Sequence, residues 1–289
     1  MNPPRFALVT PTYRNDFEVC RILVDSVAKH VPKHIHHYLF VERRDEAMFR
    51  PLCNERTHLR IVNDFIPWWL FRVPGIPGFW MSLRTLPVRN WIMQQIIKLS
   101  MASSLEEDAF FIVDSDIFFC RPFNPEDTVR DGRVPLMVET GQAGLIPNND
   151  NWHNIACRLL KLPEKPVHDT NFVGPMICWR RDHALALQRY LSSCNGNRQL
   201  VSIMSEHLWF SEFILYGLFV TEVLKESSGH WFDDSYHTLC HWPETPLDAA
   251  GLQALKQQWL PDQFAVMINA KSNTPAPLIR QAFDLPSSR

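Results

Sequence analysis

Residues 109–116 read AFFIVDSD, five consecutive apolar residues followed by two aspartates that flank a serine. A short unbroken apolar run of this kind is typical of a strand that is buried on both faces. Asp114 and Asp116 would then stand at the carboxyl end of the strand, where open α/β sheets hold their ligands. This segment therefore predicts both a fold class and the place of a site.

The segments before this strand alternate between two kinds of regular structure. Strands are predicted at 5–10, 38–41 and 59–62, where short apolar runs end at turn residues. A helix is predicted at 16–30 from apolar residues at the 3.6-residue spacing, and a more polar helix at 45–54. Because strand and helix alternate, the sequence predicts an α/β fold with a mostly parallel central sheet flanked by helices.

The second half of the chain adds further predicted elements. Helices are expected at 89–103, 152–160, 182–191 and 205–223, and strands at 134–138 and 172–179. Six prolines from Pro243 onward predict an irregular C-terminal extension that wraps the domain. No internal repeat and no shift of composition marks a linker, so residues 1–289 are interpreted as a single domain.

Composition narrows the class of protein. The chain is 46% hydrophobic and 21% charged, as is ordinary for a globular protein, and its formal charge of −2 predicts no nucleic-acid partner. Seven cysteines without C-x-x-C spacing argue against a disulfide framework and a zinc site. The apolar start is too short for a signal peptide, and no apolar run reaches the roughly 18 residues of a membrane span. A cytoplasmic location is therefore expected.

Glycine is scarce, with 10 residues against 22 prolines, and no glycine-rich phosphate-binding motif occurs. A site that handles phosphates would therefore neutralise them with a metal ion or with basic side chains. Asp114 and Asp116 suit Mg²⁺ or Mn²⁺, hard cations that combine one or two carboxylates with the oxygens of a diphosphate. The alternative is that the two aspartates form a turn that ends the strand.

Four segments, in this order, resemble the GT-A glycosyltransferases, particularly the bacterial family 8-like and related uncharacterised glycosyltransferase-like proteins. They are LVTPTYRND (8–16), WIMQQIIKLSMASSLEEDAFFIVDSDIFFCRPF (91–123), DTNFVGPMICWRRD (169–182) and HTLCHWPETP (237–246). The resemblance implies a GT-A-like (Rossmann-like) catalytic domain. In such a domain, residues 1–125 would form the nucleotide-binding half, and residues 126–289 would form the acceptor-side half with the C-terminal tail.

The same resemblance implies roles for individual residues. The expected donor-binding residues are Thr10, Pro11, Thr12, Tyr13, Arg14, Gln94, Lys98, Asp114, Ser115, Asp169 and Asn171. Metal ligands are expected at Asp114, Asp116 and His241, with His237 as a competitor for the third position. For Lys98 the alternative is a solvated helix face, and for either histidine an ordinary structural role.

Glu212 and Glu206 are the candidate catalytic carboxylates, because charged residues in so apolar a predicted helix either face solvent or meet a polar pocket. In an inverting reaction such a carboxylate would deprotonate the acceptor hydroxyl, and in a retaining reaction it would lie beneath the sugar. A solvated helix face is the alternative for each.

Residues 65–81, FIPWWLFRVPGIPGFWM, hold several aromatic residues and three prolines, so a structured loop without regular helix or strand is predicted. Three interpretations stay open for its aromatic side chains: a lid folded into the core, which is preferred, a wall that stacks on a sugar, or a contact with lipid.

The sequence thus predicts a metal-dependent glycosyltransferase of polysaccharide assembly, with Mn²⁺ or Mg²⁺ as cofactor. The donor would be a nucleoside diphosphate sugar, a UDP-sugar being favoured, and the acceptor a glycan or a lipid-linked molecule. The expected location is the cytoplasm, with the inner face of the cytoplasmic membrane as a site of peripheral contact. Alternatives are a sugar-phosphate nucleotidyltransferase and a non-catalytic glycan-binding protein on the same fold.

Overall fold

The computed structural model describes residues 3–76 and 78–286. Its strands are β1 (Phe6–Pro11), β2 (His36–Val41), β3 (Thr57–Ile61), β4 (Leu70–Phe71), β5 (Phe79–Ser82), β6 (Val88–Arg89), β7 (Ala109–Val113), β8 (Ile117–Phe119), β9 (Val134–Met137), β10 (Met176–Arg180), β11 (His230–Asp233), β12 (Thr238–His241) and β13 (Ala265–Ile268). Its α-helices are α1 (Phe17–His30), α2 (Glu46–Phe49), α3 (Asn90–Ser100), α4 (Asn149–Leu160), α5 (Arg181–Cys194), α6 (Leu200–Met204), α7 (Glu212–Leu218), α8 (Ala249–Lys256) and α9 (Ala276–Ala282). Short 3₁₀ turns and one π-helical segment, Phe219–Leu224, join several of them.

The largest sheet has five strands in the order β10-β7-β1-β2-β3. Strands β7, β1, β2 and β3 run parallel, and only β10 pairs in the antiparallel direction. Every residue of β1 and of β7 is buried, as the unbroken apolar runs predicted. The predicted α/β class with a mostly parallel central sheet is therefore confirmed.

Helices cover both faces of this sheet because successive side chains of a strand point to opposite sides. Phe6 and Leu8 of β1 pack in a cluster with residues of α1. Ala7 and Val9, between and after them, pack in another cluster with residues of α3. Helix α1, which follows β1, and helix α3, which precedes β7, thus lie on opposite faces of the sheet.

Smaller sheets form where the sequence predicted irregular chain. Strands β4, β5 and β6 form an antiparallel sheet within and after residues 65–81, and β12, β13 and β8 form another. The prediction of an irregular C-terminal extension was wrong, since β11, β12, β13, α8 and α9 lie there. These strands have four residues each, so their pairing partners, not a periodic pattern, define them.

The predicted helix at 205–223 was also wrong in its extent. Helix α6 ends at Met204, and a new helix begins at Glu212 after an irregular segment. The Ser211 hydroxyl accepts a hydrogen bond from the Ile214 N–H and so caps the new helix. Glu206 and Glu212 consequently belong to different elements.

Within the described ranges, no helix is long and apolar enough to cross a membrane.

Candidate functional site

A cleft of about 520 Å³ opens at the carboxyl ends of β1, β2 and β7, a volume usual for small-molecule sites. Residues 11–13 line it from the end of β1 and residues 114–116 from the end of β7. From β1 the chain continues to β2 on one side, whereas β7 lies on the other side of β1. The cleft therefore occupies the switch point in strand order, where open α/β sheets hold their ligands.

Asp114-Ser115-Asp116, which we call the D-x-D segment, forms the turn between β7 and β8. Ser115 Oγ donates a hydrogen bond of 3.0 Å to Asp16 Oδ2, which fixes that carboxylate beside the turn. The Ala270 N–H donates to Asp116 Oδ2 at 3.0 Å. Asp114 and Asp116 both line the cleft, so the prediction that this segment faces a pocket is confirmed.

Burial, reinforced by the charge of Asp114, raises the pKa of Asp116 to about 7. Burial also raises the pKa of Asp16 to about 6, against the opposing effect of the Ser115 hydrogen bond and with a further rise from Asp114. No basic side chain is among the groups that shift either pKa. Among the described residues, Asp116 and Asp16 therefore have no basic partner that would favour their charged forms.

Lys98 of α3 lies between the two walls of the cleft. Its Nζ is 3.1 Å from Asp114 Oδ1 and 3.2 Å from Glu212 Oε1, and it lies 4.5 Å from the centre of the Phe213 ring. Burial alone would lower the pKa of Lys98, but the two carboxylates more than offset it and the pKa is raised. Lys98 is therefore a permanently charged bridge between β7 and α7, as expected of a residue at the site.

Glu212 is the first residue of α7 and is 4% exposed. The position suits a carboxylate, because the first turn of a helix presents unpaired N–H groups and a partial positive charge. Its own N–H donates to Gln95 Oε1 at 3.2 Å. Burial raises the pKa of Glu212, with Lys98 acting in the opposite direction. Of the two candidate catalytic carboxylates, this is the one that lines the cleft.

Sequence reasoning missed a second ion pair, at the end of β2. Glu42 follows the last residue of that strand, and Arg72 Nη2 lies 2.8 Å from its Oε1. Arg72 also donates to Asn90 Oδ1 at 2.6 Å and stacks over the Trp80 ring at 4.7 Å. The position of Glu42 directly after a core strand was the available signal, the same one that marked Asp114.

Gln95 was also missed. The i, i+4 spacing of Gln94 and Lys98 drew attention to Gln94, which is exposed, whereas Gln95 is buried beside Glu212. The Gln95 Nε2 is buried and has no hydrogen-bond partner in the described part of the chain. Gln95 and Lys98 are three positions apart and so share a helix face, a spacing that is as good a signal in the sequence as the four positions between Gln94 and Lys98.

The aromatic side chains of segment 65–81 differ in burial. Trp69 and Trp80 are 2% and 1% exposed and lie in the main core, so the preferred interpretation of a folded-in lid is confirmed for them. Trp68 is 77% exposed, and Phe71 and Phe79 are also exposed. Trp80 also lines the cleft.

Several expected donor-binding residues are placed away from the cleft. Thr10 is buried, with its Oγ1 2.9 Å from His37 Nε2. Arg14 turns to Asp45, with 2.7 Å between Nη2 and Oδ1. Both side chains are therefore held by other elements. The residues that line the cleft here are 11–13, at and just after the end of β1.

The expected sugar ligands hydrogen-bond to the segment that follows β9. Asp169 Oδ1 accepts the Ala143 N–H at 3.2 Å, and Asn171 Nδ2 donates to Glu139 Oε2 at 3.2 Å. Neither lines the cleft, although Val173 does. Asn171 instead forms an antiparallel bridge with Glu139, so both residues join their segment to the one after β9.

The remaining candidates also lie outside the cleft lining. Glu206 forms an exposed ion pair with Arg198. His241 Nε2 is 3.2 Å from the Thr245 carbonyl oxygen, and His237 Nε2 is 3.1 Å from an Asp233 carboxylate oxygen. Residues 3–76 and 78–286 contain no group of three His, Cys, Asp or Glu side chains arranged to hold a metal ion.

Comparison with known protein families gives one result. A family of unknown function, DUF6492, matches residues 7–275. The chain belongs to this family. The DUF6492 match begins in β1 and ends beyond Lys271, so it contains all of the elements that line the cleft. No curated protein matches the chain.

Proposed function

We propose that this protein is a metal-dependent glycosyltransferase with a GT-A-like fold, which moves a sugar from a nucleoside diphosphate sugar to a glycan or lipid-linked acceptor. The observation that carries the proposal is the cluster of Asp114, Asp116 and Asp16 in a cleft at the switch point of a parallel sheet. The strand order β3-β2-β1-β7 supports the finer fold assignment, because it matches the first four positions of the 3-2-1-4-5-6 order of a dinucleotide-binding sheet.

Charge supports the need for a divalent cation. The side chains that line the cleft include five carboxylates and three basic groups, so a diphosphate would meet net negative charge. Asp114 and Asp116 offer oxygen ligands, and neither Asp116 nor the neighbouring Asp16 has a basic partner among the described residues. Mg²⁺ and Mn²⁺ take one or two carboxylates and complete their shell with water and phosphate oxygens. The residues present therefore fit such an ion without a third protein ligand from His241 or His237.

The cation, when bound, would neutralise the diphosphate of the donor as the bond to the sugar breaks. Asp116 and Asp114 would hold it, with Asp16 beside them. Lys98 is bound to Asp114 and Glu212, and so it links the two walls of the cleft. Trp91 and Trp152, with ring centres 6.0 Å apart, line the same cleft and offer apolar faces on which a sugar ring stacks.

Glu212 is the group that would act on the acceptor. In an inverting reaction it would accept the proton of the attacking hydroxyl, and burial favours this because it raises the pKa of Glu212 toward the working pH. In a retaining reaction the same carboxylate would lie beneath the sugar. Its placement opposite Asp114, across Lys98, is compatible with either outcome.

The test is release of UDP or GDP from a panel of nucleoside diphosphate sugars, by hydrolysis and with added glycans, in Mn²⁺ and then in EDTA. We expect release in Mn²⁺, loss in EDTA and loss in Asp116→Asn. Glu206→Gln is the matched control for Glu212→Gln, since Glu206 is exposed and outside the cleft. Release that persists in EDTA and in Asp116→Asn would remove the metal role. Formation of pyrophosphate from a nucleoside triphosphate and a sugar phosphate would replace the proposal with a nucleotidyltransferase.

A further inference from the structure

Exposed apolar side chains are concentrated in two segments of the chain. Of the fifteen large apolar side chains that are exposed in the described residues, nine lie in residues 68–91 and 208–209. They are Trp68, Phe71, Ile76, Phe79, Leu83, Leu86, Trp91, Leu208 and Trp209. These segments make up less than a tenth of the sequence, so the enrichment marks one region of the surface.

The two segments meet beside the mouth of the cleft. The Arg89 guanidinium lies 4.4 Å from the centre of the Trp209 ring and donates a hydrogen bond to the Leu208 carbonyl. The Trp91 and Trp209 rings are 6.0 Å apart, and Leu86 and Leu208 line one shallow pocket. We call the side chains of Leu86, Trp91, Leu208 and Trp209 the apolar rim. Leu86 is 74% exposed and Leu208 55% exposed, so this rim faces outward.

The charge around the apolar rim is positive. Residues 65–105 contain four basic residues and no Asp or Glu. Two of the four are paired with carboxylates of the cleft, whereas Arg84 and Arg89 have no carboxylate partner in the part of the chain that is described. The acidic residue nearest in the pocket lining is Glu206, which is already paired with Arg198. Arg84 lies 5.5 Å from the centre of the Trp69 ring, and Arg89 contacts Trp209 and the Leu208 carbonyl, so both positive charges lie beside exposed leucine and tryptophan side chains without a described carboxylate to neutralise them.

We propose that the apolar rim is a docking surface for an anionic lipid bilayer. Leucines carried on loops insert into the boundary of the acyl chains, indole rings settle at the headgroup level and arginines bind lipid phosphates. Leu86 lies in the loop between β5 and β6, and Leu208 in the loop between α6 and α7. A second copy of the chain fits less well, since a two-fold interface would bring Arg84 and Arg89 of both copies together without counter-charge.

The location of the rim has a consequence for access. Trp91 belongs both to the rim and to the lining of the cleft, so a docked molecule would open its cleft next to the membrane surface. An acceptor or product carried by a lipid would reach the cleft without leaving the bilayer. Docking itself does not depend on the proposed glycosyl transfer, and its test contains no nucleotide and no sugar.

The test is cosedimentation of the chain, residues 1–289, with vesicles of phosphatidylcholine, alone or mixed with phosphatidylglycerol. We expect wild-type protein to sediment with the mixed vesicles and to be released by high salt, because Arg84 and Arg89 supply the charge attraction. Leu86→Ser/Leu208→Ser should bind on the order of tenfold more weakly, since both leucines lose their apolar contact with lipid. Leu260→Ser is the matched control, because Leu260 is also 55% exposed and lies outside the rim.

Further variants and outcomes complete the test. Arg84→Gln/Arg89→Gln should lose the preference for the anionic vesicles and retain the circular dichroism spectrum of wild type. Sedimentation with neither vesicle, or wild-type binding by the leucine double variant, would overturn the proposal. So would a dimer in sedimentation velocity that the leucine double variant converts to a monomer, because the rim would then serve a second copy of the chain.

Discussion

Asp116→Asn should make the metal-free protein more stable at alkaline pH. The side chain keeps its shape, and an amide oxygen can still accept the Ala270 N–H that Asp116 accepts at 3.0 Å. The substitution removes only the negative charge. That charge is unfavourable in the folded state, because Asp116 is desolvated and stands beside Asp114 and Asp16 without a basic partner among the described residues.

The magnitude follows from the pKa of Asp116, which burial raises from 3.8 to about 7. The folded wild type keeps the proton to higher pH than the unfolded chain, so its stability is complete below about pH 4 and declines as the pH rises through about 7. The full shift corresponds to an upper limit of about 4 kcal/mol in the free energy of unfolding. Because Asp116 is only half-buried, water screens part of this, and we expect about 2 kcal/mol.

The assay is urea unfolding of both proteins in EDTA across this pH range. The advantage of Asp116→Asn should grow as the pH rises from about 4 to 7 and stay constant above it. Saturating Mn²⁺ should raise the melting temperature of wild type and leave the variant unchanged. Asp169→Asn, an exposed site outside the cleft, is the control and should behave as wild type. An advantage independent of pH would refute the electrostatic reasoning, and equal stabilisation of both proteins by Mn²⁺ would refute the ligand role.

Three other substitutions test the packing and charge of the same region. Lys98→Met should lower the free energy of unfolding by about 3 kcal/mol, because it leaves two carboxylates facing each other without their shared cation; a chemical-denaturation difference below the error would exclude this. Glu212→Gln should reduce kcat about a hundredfold or more with little change in the donor KM, and an unchanged kcat would show that Glu212 is not the reacting carboxylate. Gly217→Ala should unfold at clearly lower temperature, since a Cβ there would lie 2.3 Å from the Phe172 ring. Gly251→Ala is the control, because a Cβ there would lie 3.1 Å from the end of the flexible Leu247 side chain, and its melting temperature should stay near that of wild type. Equal melting temperatures of the two alanine variants would refute the clash.

The strands that could be predicted from the sequence are those that consist of continuous apolar residues. Residues 109–113 and the first strand are buried along their whole length, so composition alone separated them from amphipathic segments. The helix at 17–30 was predictable because its apolar face keeps the 3.6-residue period. Strands such as β4 and β6, which have two residues each, carry no period at all and exist because a neighbouring strand supplies the hydrogen bonds.

The same distinction applies to the cleft. The position of Asp114 and Asp116 at the cleft followed from the apolar strand that directly precedes them in the sequence. The contact of Lys98 with Glu212 joins residues that are far apart in the chain, and no local pattern encodes it. Glu206 and Glu212 were both candidates, with Glu212 the stronger, because both lie in one apolar segment; the new helix that begins at Glu212 separates them.

The shared ammonium of Lys98 suggests an order for the two substrates. A single cation divides its attraction between Asp114, at the end of β7, and Glu212 on the opposite wall. If a divalent ion arrives with the first substrate and takes over Asp114, the ammonium is left to Glu212 alone. The proton affinity of Glu212 would then change when the first substrate binds, so that the second substrate meets a different group from the one it would meet in the empty protein. Kinetics with compulsory order of addition are the signature of such an arrangement.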